Sequence, residues 1–299
     1  MARMPTGRRA RAAPIARASI TIKAPGKLNL YLKITGKRRD GYHEIESILV
    51  PVGVYDTLSI SKMNQGLKVS CTGRELPEGQ ENLVYRAARS FFEKGGIRGG
   101  ARISLVKEIP ISAGLGGGSS DAAATLKGLN AVWDDPLTPK DLEKLAVSLG
   151  ADVPFFLFQG PAVARGIGEL LEPVRDFPVF WYVIVSPMLK VSTAWAYGQV
   201  RLKLTVEGNR DNINFLSTAT LKIPDLLYND LESVTLGRYP FLSSIKESLQ
   251  ASGALGALMT GSGPSIFGVF DSEHKAGEAG ESLRRIWPDY EIFVVEGLG

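Results

Sequence analysis

Cysteine and histidine are scarce in this chain: Cys71 stands alone, and His43 and His274 are the two histidines among 299 residues. A lone cysteine forms no intrachain disulfide and builds no thiolate zinc site, and two distant histidines do not suggest an imidazole-rich one. Any metal is therefore expected on oxygen ligands, and a reducing cytoplasm is the expected location. Long apolar runs are missing as well. The most apolar stretch, FPVFWYVIV from Phe177 to Val185, is far shorter than the ~20 residues a bilayer-spanning helix needs and reads as a buried strand. No membrane partner is expected.

A basic excess is also missing from the body of the chain. Residues 1–17 hold Arg3, Arg8, Arg9, Arg11 and Arg17 and no acid, so of the formal charge of +4 the remainder keeps four less five, or −1. That balance does not neutralise a nucleic-acid backbone, and no nucleic-acid partner is expected. The leader lacks the apolar core of a secretory signal. It reads as a disordered segment, with a plastid address as the alternative if it acts as a transit sequence. Oligomeric state is not legible.

What is present is ordinary for a folded protein: 44% apolar and 22% charged residues, in a length that suits two medium domains. Ser19 to Ala24 and Leu28 to Ile34 alternate with period two and read as strands, the second with Leu28, Leu30, Leu32 and Ile34 toward a core. Lys27, Asn29, Tyr31 and Lys33 then share the other face, either turned to a ligand or simply solvated. Asp40-Gly41 reads as a turn, followed by strands near 45–52 and 57–61. Asn82 to Lys94 is periodic like a helix and stops at Gly95-Gly96; Thr138-Pro139-Lys140-Asp141 opens another that ends at Gly150. Strands near 181–185, 265–270 and 292–295 mix with helices near 240–251 and 272–287. Strands and helices without regular alternation place the chain in the α+β class.

The most informative stretch is PISAGLGGGSSDAAA, residues 110–124, which sets Gly114, Gly116, Gly117 and Gly118 before an Ala/Leu-rich helix. Glycines let the backbone approach an anion, and the free N–H groups of a helix start add positive potential. Three consecutive glycines each cost about 1 kcal/mol relative to alanine in ordered structure, so the run points to phosphate binding rather than slack. The spacing matches neither the Walker A loop nor the dinucleotide GxGxxG. Ser119 and Ser120 are expected to cap the helix or reach phosphate and metal. Asp121 suits the helix dipole but repels phosphate, so it is expected to point away or lie near magnesium.

Ala24-Pro25-Gly26-Lys27-Leu28-Asn29, the glycine loop at 110–120 and Met259-Thr-Gly-Ser-Gly-Pro-Ser265, in that order, resemble the GHMP kinase superfamily. Gly41-Tyr42-His43-Glu44, Gly150-Ala151-Asp152-Val153-Pro154-Phe155-Phe156, Gly166-Ile167-Gly168-Glu169 and Asn229-Asp230-Leu231-Glu232 resemble, within it, the kinases of the non-mevalonate isoprenoid route. Those act on a cytidyl-diphosphate sugar alcohol. The resemblance implies a two-domain GHMP kinase fold: a ribosomal S5 domain 2-like, ATP-binding N-terminal domain over 18–165 and a ferredoxin-like C-terminal domain over 166–299. The active site is expected in the cleft between them, with ATP and Mg2+ as co-substrate and cofactor.

By position the resemblance makes Lys27 and Asp152 the catalytic pair, with Asn29 near the acceptor hydroxyl. It assigns Tyr42, His43 and Tyr197 to the cytosine and the Gly261-Ser262-Gly263 loop to substrate phosphates. Pro110, Ile111, Ser112, Ala113, Gly114, Leu115, Gly116, Gly117, Gly118, Ser119 and Ser120 are expected to hold ATP, and Asn82 and Lys107 to border its adenine. Phosphoryl transfer asks mainly for alignment and charge neutralisation, which a carboxylate, a lysine and a phosphate cradle supply. Asp152 read on its own could equally cap the turn after Gly150. Rival readings are another GHMP kinase acting on homoserine, mevalonate or galactose, and a non-catalytic nucleotide sensor, which is expected to lose Lys27 or Asp152.

Overall fold

The computed structural model describes residues 18–76, 79–158, 160–200 and 222–299; the arginine-rich leader lies outside them. Two long strands open the described chain. Strands β1 (Ser19–Lys37) and β2 (His43–Met63) pair antiparallel and reverse at Asp40-Gly41, where Gly41 takes a φ of 91°. The alternation in the sequence predicts shorter strands, at 19–24 and 28–34 and near 45–52 and 57–61. The structure instead runs the strand through, absorbing Pro25 in a register shift before Gly26, the kind of irregularity where proline is tolerated.

A second shift lies between Asn29 and Tyr31, which face the consecutive residues Leu49 and Ile48. It breaks the simple alternation. Tyr31 turns into the core against Tyr228, with ring centroids 5.6 Å apart, and leaves the face expected to hold it with Lys27 and Asn29. Both Lys27 and Asn29 are buried rather than solvated.

β3 (Gly66–Thr72), α1 (Leu83–Gly95), β4 (Gly100–Val106), α2 (Gly117–Val132), α3 (Pro139–Leu149) and α4 (Val153–Leu157) follow, then β5 (Ala162–Arg165) and β6 (Leu170–Pro173). The remainder comprises β7 (Trp181–Ser186), α5 (Thr193–Gln199), α6 (Ile223–Leu226), β8 (Tyr228–Asn229), α7 (Glu232–Arg238), α8 (Phe241–Ala251), β9 (Gly256–Met259), β10 (Ile266–Phe270), α9 (Glu273–Ile286) and β11 (Glu291–Glu296). Helix ends follow their local chemistry. The Asn82 side chain accepts from Val84 N at the start of α1, and Gly96 closes that helix in the left-handed region. Thr138 and Asp141 form a reciprocal capping box at α3, with Pro139 in its first turn.

The larger sheet runs β3-β4-β2-β1-β8, with β5 on β2 and β6 on β5; the smaller is the antiparallel β11-β7-β10-β9. The division expected at 165/166 falls inside the β5–β6 hairpin, both strands of which belong to the larger sheet. Helices α1 to α4 cover one face of that sheet through Val84, Phe91, Leu126, Leu129 and Phe155 packed on Leu58, Ile60 and Ile103. Its other face meets the smaller sheet, where Leu28, Leu30, Val50 and Val52 pack with Tyr182, Ile184 and Phe267. Helices α8 and α9 close the far side through Leu242, Ile245, Leu249 and Leu283. Each such fully buried side chain contributes about 1.5–3 kcal/mol. The two sheets therefore share a core, which holds the loops at their common edge in fixed relation.

Candidate active site

That edge bears a cleft of about 940 Å³ walled by β1, the glycine loop, the start of α4, α5 and the 261–262 turn. Lys27 enters it just past the first register shift, its backbone N–H donating to Leu115 O at 2.9 Å and so tying β1 to the glycine loop. Lys27 is 3% exposed, and its ammonium hydrogen-bonds directly to Asn29 Oδ1 and lies 4.0 Å from Asp152 Oδ2. Burial lowers the Lys27 pKa, and the Asp152 carboxylate opposes that shift. Asp152 precedes α4 but its side chain makes no capping bond there, and at 41% exposure it opens to the cleft. Its carboxylate is thus not spent on the helix start. A gap of 4.0 Å is too long for a direct hydrogen bond and suits a hydroxyl placed between the two groups.

Asn29 is oriented from two sides. Its Nδ2 donates to Ser47 Oγ at 2.9 Å, and the Ser47 hydroxyl donates to Tyr31 O at 2.6 Å. The Asn29 backbone N–H donates to Thr260 Oγ1 at 3.0 Å, a contact from the smaller sheet. Ser47 lies outside the sequence motifs, and Thr260, inside the 259–265 motif, carries no role there; only the fold brings the two beside Asn29.

Residues 110–114 and 116–119 of the glycine loop line the cleft; Leu115 is core, and Ser120 is buried behind the loop. Gly114 (φ 80°) and Gly116 (φ 71°) occupy the left-handed region that other residues rarely adopt. A Cβ on Gly114 would lie 2.1 Å from Thr260 O, and one on Gly116 would lie 2.9 Å from the Phe156 ring and 3.0 Å from Lys27 Cγ. Gly116, not a serine, is the N-cap of α2. The helix start therefore presents backbone N–H groups to the cleft, an anion cradle by geometry.

Asp121 corrects the alternative of a magnesium contact. It points away from the loop, with Oδ2 3.1 Å from Lys107 Nζ, and Lys107 also pairs directly with Asp56. Burial pushes the Asp121 carboxyl up to about 7 against the pull of Lys107, and its Oδ1 meets no hydrogen-bond partner. Asp56 spends its other oxygen on the N–H groups of Glu108 and Ile109. Lys107 reaches the cleft wall under Gly117, where a Cβ would sit 2.7 Å from Nζ. Asn82 does not line the cleft; its side chain is the cap of α1.

At the other end His43 and Tyr197 touch, with ring centroids 5.4 Å apart at 34°. Rings so close make one wall, and a base enters between them only if they part. Burial, then the neighbouring Lys37, lowers the His43 pKa; burial raises that of Tyr197. Tyr42 is 58% exposed and forms an outer lip. Gly261 and Ser262 line the cleft, with Ser262 Oγ 3.0 Å from Thr193 Oγ1 of α5. Gly263 does not, being packed against Met259 and Thr235. Lys37, Thr193 and Ile167 also line the cleft; Ile167 belongs to the 166–169 motif, and Lys37 and Thr193 to none.

Residues 82–160 match the GHMP kinases N-terminal domain and residues 219–289 the GHMP kinases C-terminal domain. A protein of Syntrophotalea carbinolica named 4-diphosphocytidyl-2-C-methyl-D-erythritol kinase is 46% identical over 87% of this chain and 92% of its own length. A crystal structure of 4-(cytidine 5'-diphospho)-2C-methyl-D-erythritol kinase superposes with a TM-score of 0.80 and 36% identity, covering 94% of this chain and all of that one. A homoserine kinase from Cytophaga hutchinsonii superposes with a TM-score of 0.76 at 20% identity over 96% of this chain and 97% of its own, a likeness of fold alone.

Proposed function

This chain belongs to the 4-diphosphocytidyl-2-C-methyl-D-erythritol kinase family of the GHMP kinases, and from that membership we propose how its cleft carries out the transfer. The enzyme uses ATP to phosphorylate the 2-hydroxyl of 4-diphosphocytidyl-2-C-methyl-D-erythritol, a step in the non-mevalonate supply of isoprenoid precursors. The observation that carries the reading is the 4.0 Å spacing of Lys27 and Asp152 on the cleft that the glycine loop borders.

The N–H groups from Gly116 to Ser119 cradle the ATP phosphates, and the acceptor hydroxyl lies between Asp152 and Lys27. Its oxygen attacks the γ-phosphorus, the bond to the β,γ-bridging oxygen breaks, and ADP departs. Asp152 takes the hydroxyl proton late, so its placement matters more than its basicity. Lys27, held by Asn29, keeps the acceptor oriented and damps the growing negative charge. The His43–Tyr197 wall stacks the cytosine, with Tyr42 at its rim.

Among the described residues no group of three or more His, Cys, Asp or Glu is arranged to hold a metal. Magnesium commonly binds through substrate phosphates and few protein oxygens, so the cleft fits an ion that arrives with the nucleotide. The half-buried Ser119, which lines the cleft, is the loop hydroxyl that would reach it, while Ser120 Oγ stays buried behind the loop. Bound there, the ion supplies charge neutralisation at the phosphates.

An ADP-release assay with ATP and the cytidyl-diphosphate acceptor, run beside homoserine and mevalonate, tests the substrate. Turnover is expected on the cytidyl compound. Faster turnover on homoserine or mevalonate overturns the assignment.

A further inference from the structure

Thr260 stands where three chain segments meet. Its side chain is fully buried, so its hydroxyl must find partners within the protein. Oγ1 accepts the backbone N–H of Asn29 at 3.0 Å, and its single proton has two acceptors within reach, Gly114 O at 3.4 Å and Asn29 Oδ1 at 3.5 Å. Asn29 belongs to β1 and holds Lys27; Gly114 belongs to the loop that cradles phosphate. One hydroxyl therefore touches both the acceptor side and the donor side of the cleft.

The Asn29 N–H points away from β2, as does that of Lys27 two residues earlier, which donates to Leu115 O, so it is open to a partner on that edge of the strand. Asn29 lies opposite Leu49 and Tyr31 opposite Ile48, so Leu30 is the extra residue, and irregularities of this kind re-aim neighbouring groups. The segment that carries Thr260 is fixed in turn. Asn229 donates both to Met259 O at 2.7 Å and to Gly261 O at 2.8 Å, bracketing Thr260, while its own oxygen accepts Leu231 N at 2.9 Å. Glu232 adds a bond from Met259 N at 3.1 Å and is itself held by Lys246 at 2.7 Å. The Asn229-Asp230-Leu231-Glu232 stretch thus serves as a clamp on the turn, from a strand that pairs with β1 at Tyr31 and Leu32.

Thr260 Oγ1 and the backbone around it also set a close approach. A Cβ at Gly114 would fall 2.1 Å from Thr260 O, one at Gly261 would fall 3.3 Å from Lys27 Nζ, and Ser265 N donates to Ala113 O at 3.4 Å. The glycine loop and the 259–265 turn are therefore backed against each other with no slack for independent motion.

We propose that Thr260 is a positioning residue for phosphoryl transfer: its hydroxyl, on a turn whose flanking carbonyls Asn229 holds, sets the spacing between the Lys27–Asn29 acceptor side and the phosphate loop at Gly114. The inference rests on the kinase reading above. Misplacement by a fraction of the reacting distance lowers the rate while leaving binding contacts in place, so loss of the hydroxyl acts on kcat and spares KM.

The test compares Thr260→Val, which keeps the shape and removes the hydroxyl, with Thr260→Ser, which keeps the hydroxyl; Thr260→Ala replaces the valine variant if that one does not fold. Steady-state kinetics with ATP and the cytidyl-diphosphate acceptor should show kcat of Thr260→Val reduced about ten- to a hundred-fold, with both KM values and all serine-variant constants within about threefold of wild type. Hydrogen–deuterium exchange on the ligand-free proteins should rise in peptides spanning 26–31 and 111–116 for Thr260→Val and not for Thr260→Ser. Unchanged kcat, a loss confined to KM, equal losses in both variants, or unchanged exchange at both segments each overturns the proposal. A wild type that turns over none of this acceptor sinks the substrate assignment instead, and the exchange comparison still decides the role of Thr260.

Discussion

Ser47 Oγ accepts the side-chain amide of Asn29 at 2.9 Å, and this bond decides which end of that amide faces Lys27. With Nδ2 committed to Ser47, Oδ1 is left to accept from the Lys27 ammonium. Ser47→Ala removes the acceptor and leaves a buried amide donor short of a partner, a loss of about 1–3 kcal/mol. Thermal melts should register that loss. In kinetics, kcat should fall about five- to tenfold, because an amide free to turn presents NH2 to an ammonium and repels it. Wild-type turnover in Ser47→Ala would separate Asn29 orientation from catalysis.

Gly114→Ala should be among the most damaging substitutions in the glycine loop. The residue sits at a φ of 80°, and its added methyl would collide with the Thr260 carbonyl, a backbone atom that cannot swing away. The left-handed conformation alone costs about 1–2 kcal/mol for alanine. The Kd for the ATP nucleotide should rise tenfold or more, about 1.4 kcal/mol or greater. Isothermal titration with a non-hydrolysable ATP analogue measures it directly, and undiminished affinity would show that the loop does not grip phosphate in the way its backbone suggests.

The buried cluster of Asp121, Lys107 and Asp56 makes stability depend on pH. Burial raises the Asp121 pKa to about 7 in the folded chain, against ~3.9 for an unperturbed aspartate. The folded state thus holds this proton more tightly than the unfolded state. Stability falls as pH rises between about 4 and about 7 on this account and levels off above. Asp121→Asn removes the titrating group, so its melting temperature should decline less than that of wild type between pH 5 and pH 8. Parallel pH curves for the two proteins would contradict the assignment.

Stacking of the acceptor base on the His43–Tyr197 wall gives a prediction confined to one substrate. Tyr197→Ala removes half of that wall, and base stacking on an aromatic ring is worth about 1–3 kcal/mol. The KM for the cytidyl-diphosphate acceptor should rise at least fivefold while the KM for ATP stays within about twofold, as initial-rate measurements against each substrate will report. Equal changes for both substrates would point to a general disturbance of α5.

The parts of this site legible in the sequence are those fixed by local backbone chemistry. The glycine run announces an anion cradle because Gly114 and Gly116 take a left-handed backbone that other residues rarely adopt, and Asn82, Thr138, Gly96 and Gly150 mark helix ends through bonds made within a few residues. The family motifs supply Lys27 and Asp152, which the structure brings to one cleft. What the sequence hides depends on distant partners or on a shifted register. The strand continues through Pro25 because β2 offers a partner across the irregularity, and Tyr31 leaves the ligand face because Leu30 is an extra residue in its strand. Asp121 reads as a loop carboxylate until Lys107 and Asp56 are seen beneath it. Thr260 and Ser47 act on Asn29 through contacts that no local pattern encodes.

The account stands or falls on Asp152 as the group that takes the acceptor proton beside Lys27. Asp152→Asn preserves the size of the side chain and, because Asp152 makes no capping bond to α4, should leave the melting temperature within a few degrees of wild type. General-base removal costs about 10²–10⁴-fold, so kcat on the cytidyl-diphosphate acceptor should drop by at least two orders of magnitude with both KM values little changed. Turnover within a few-fold of wild type in that variant would contradict the mechanism.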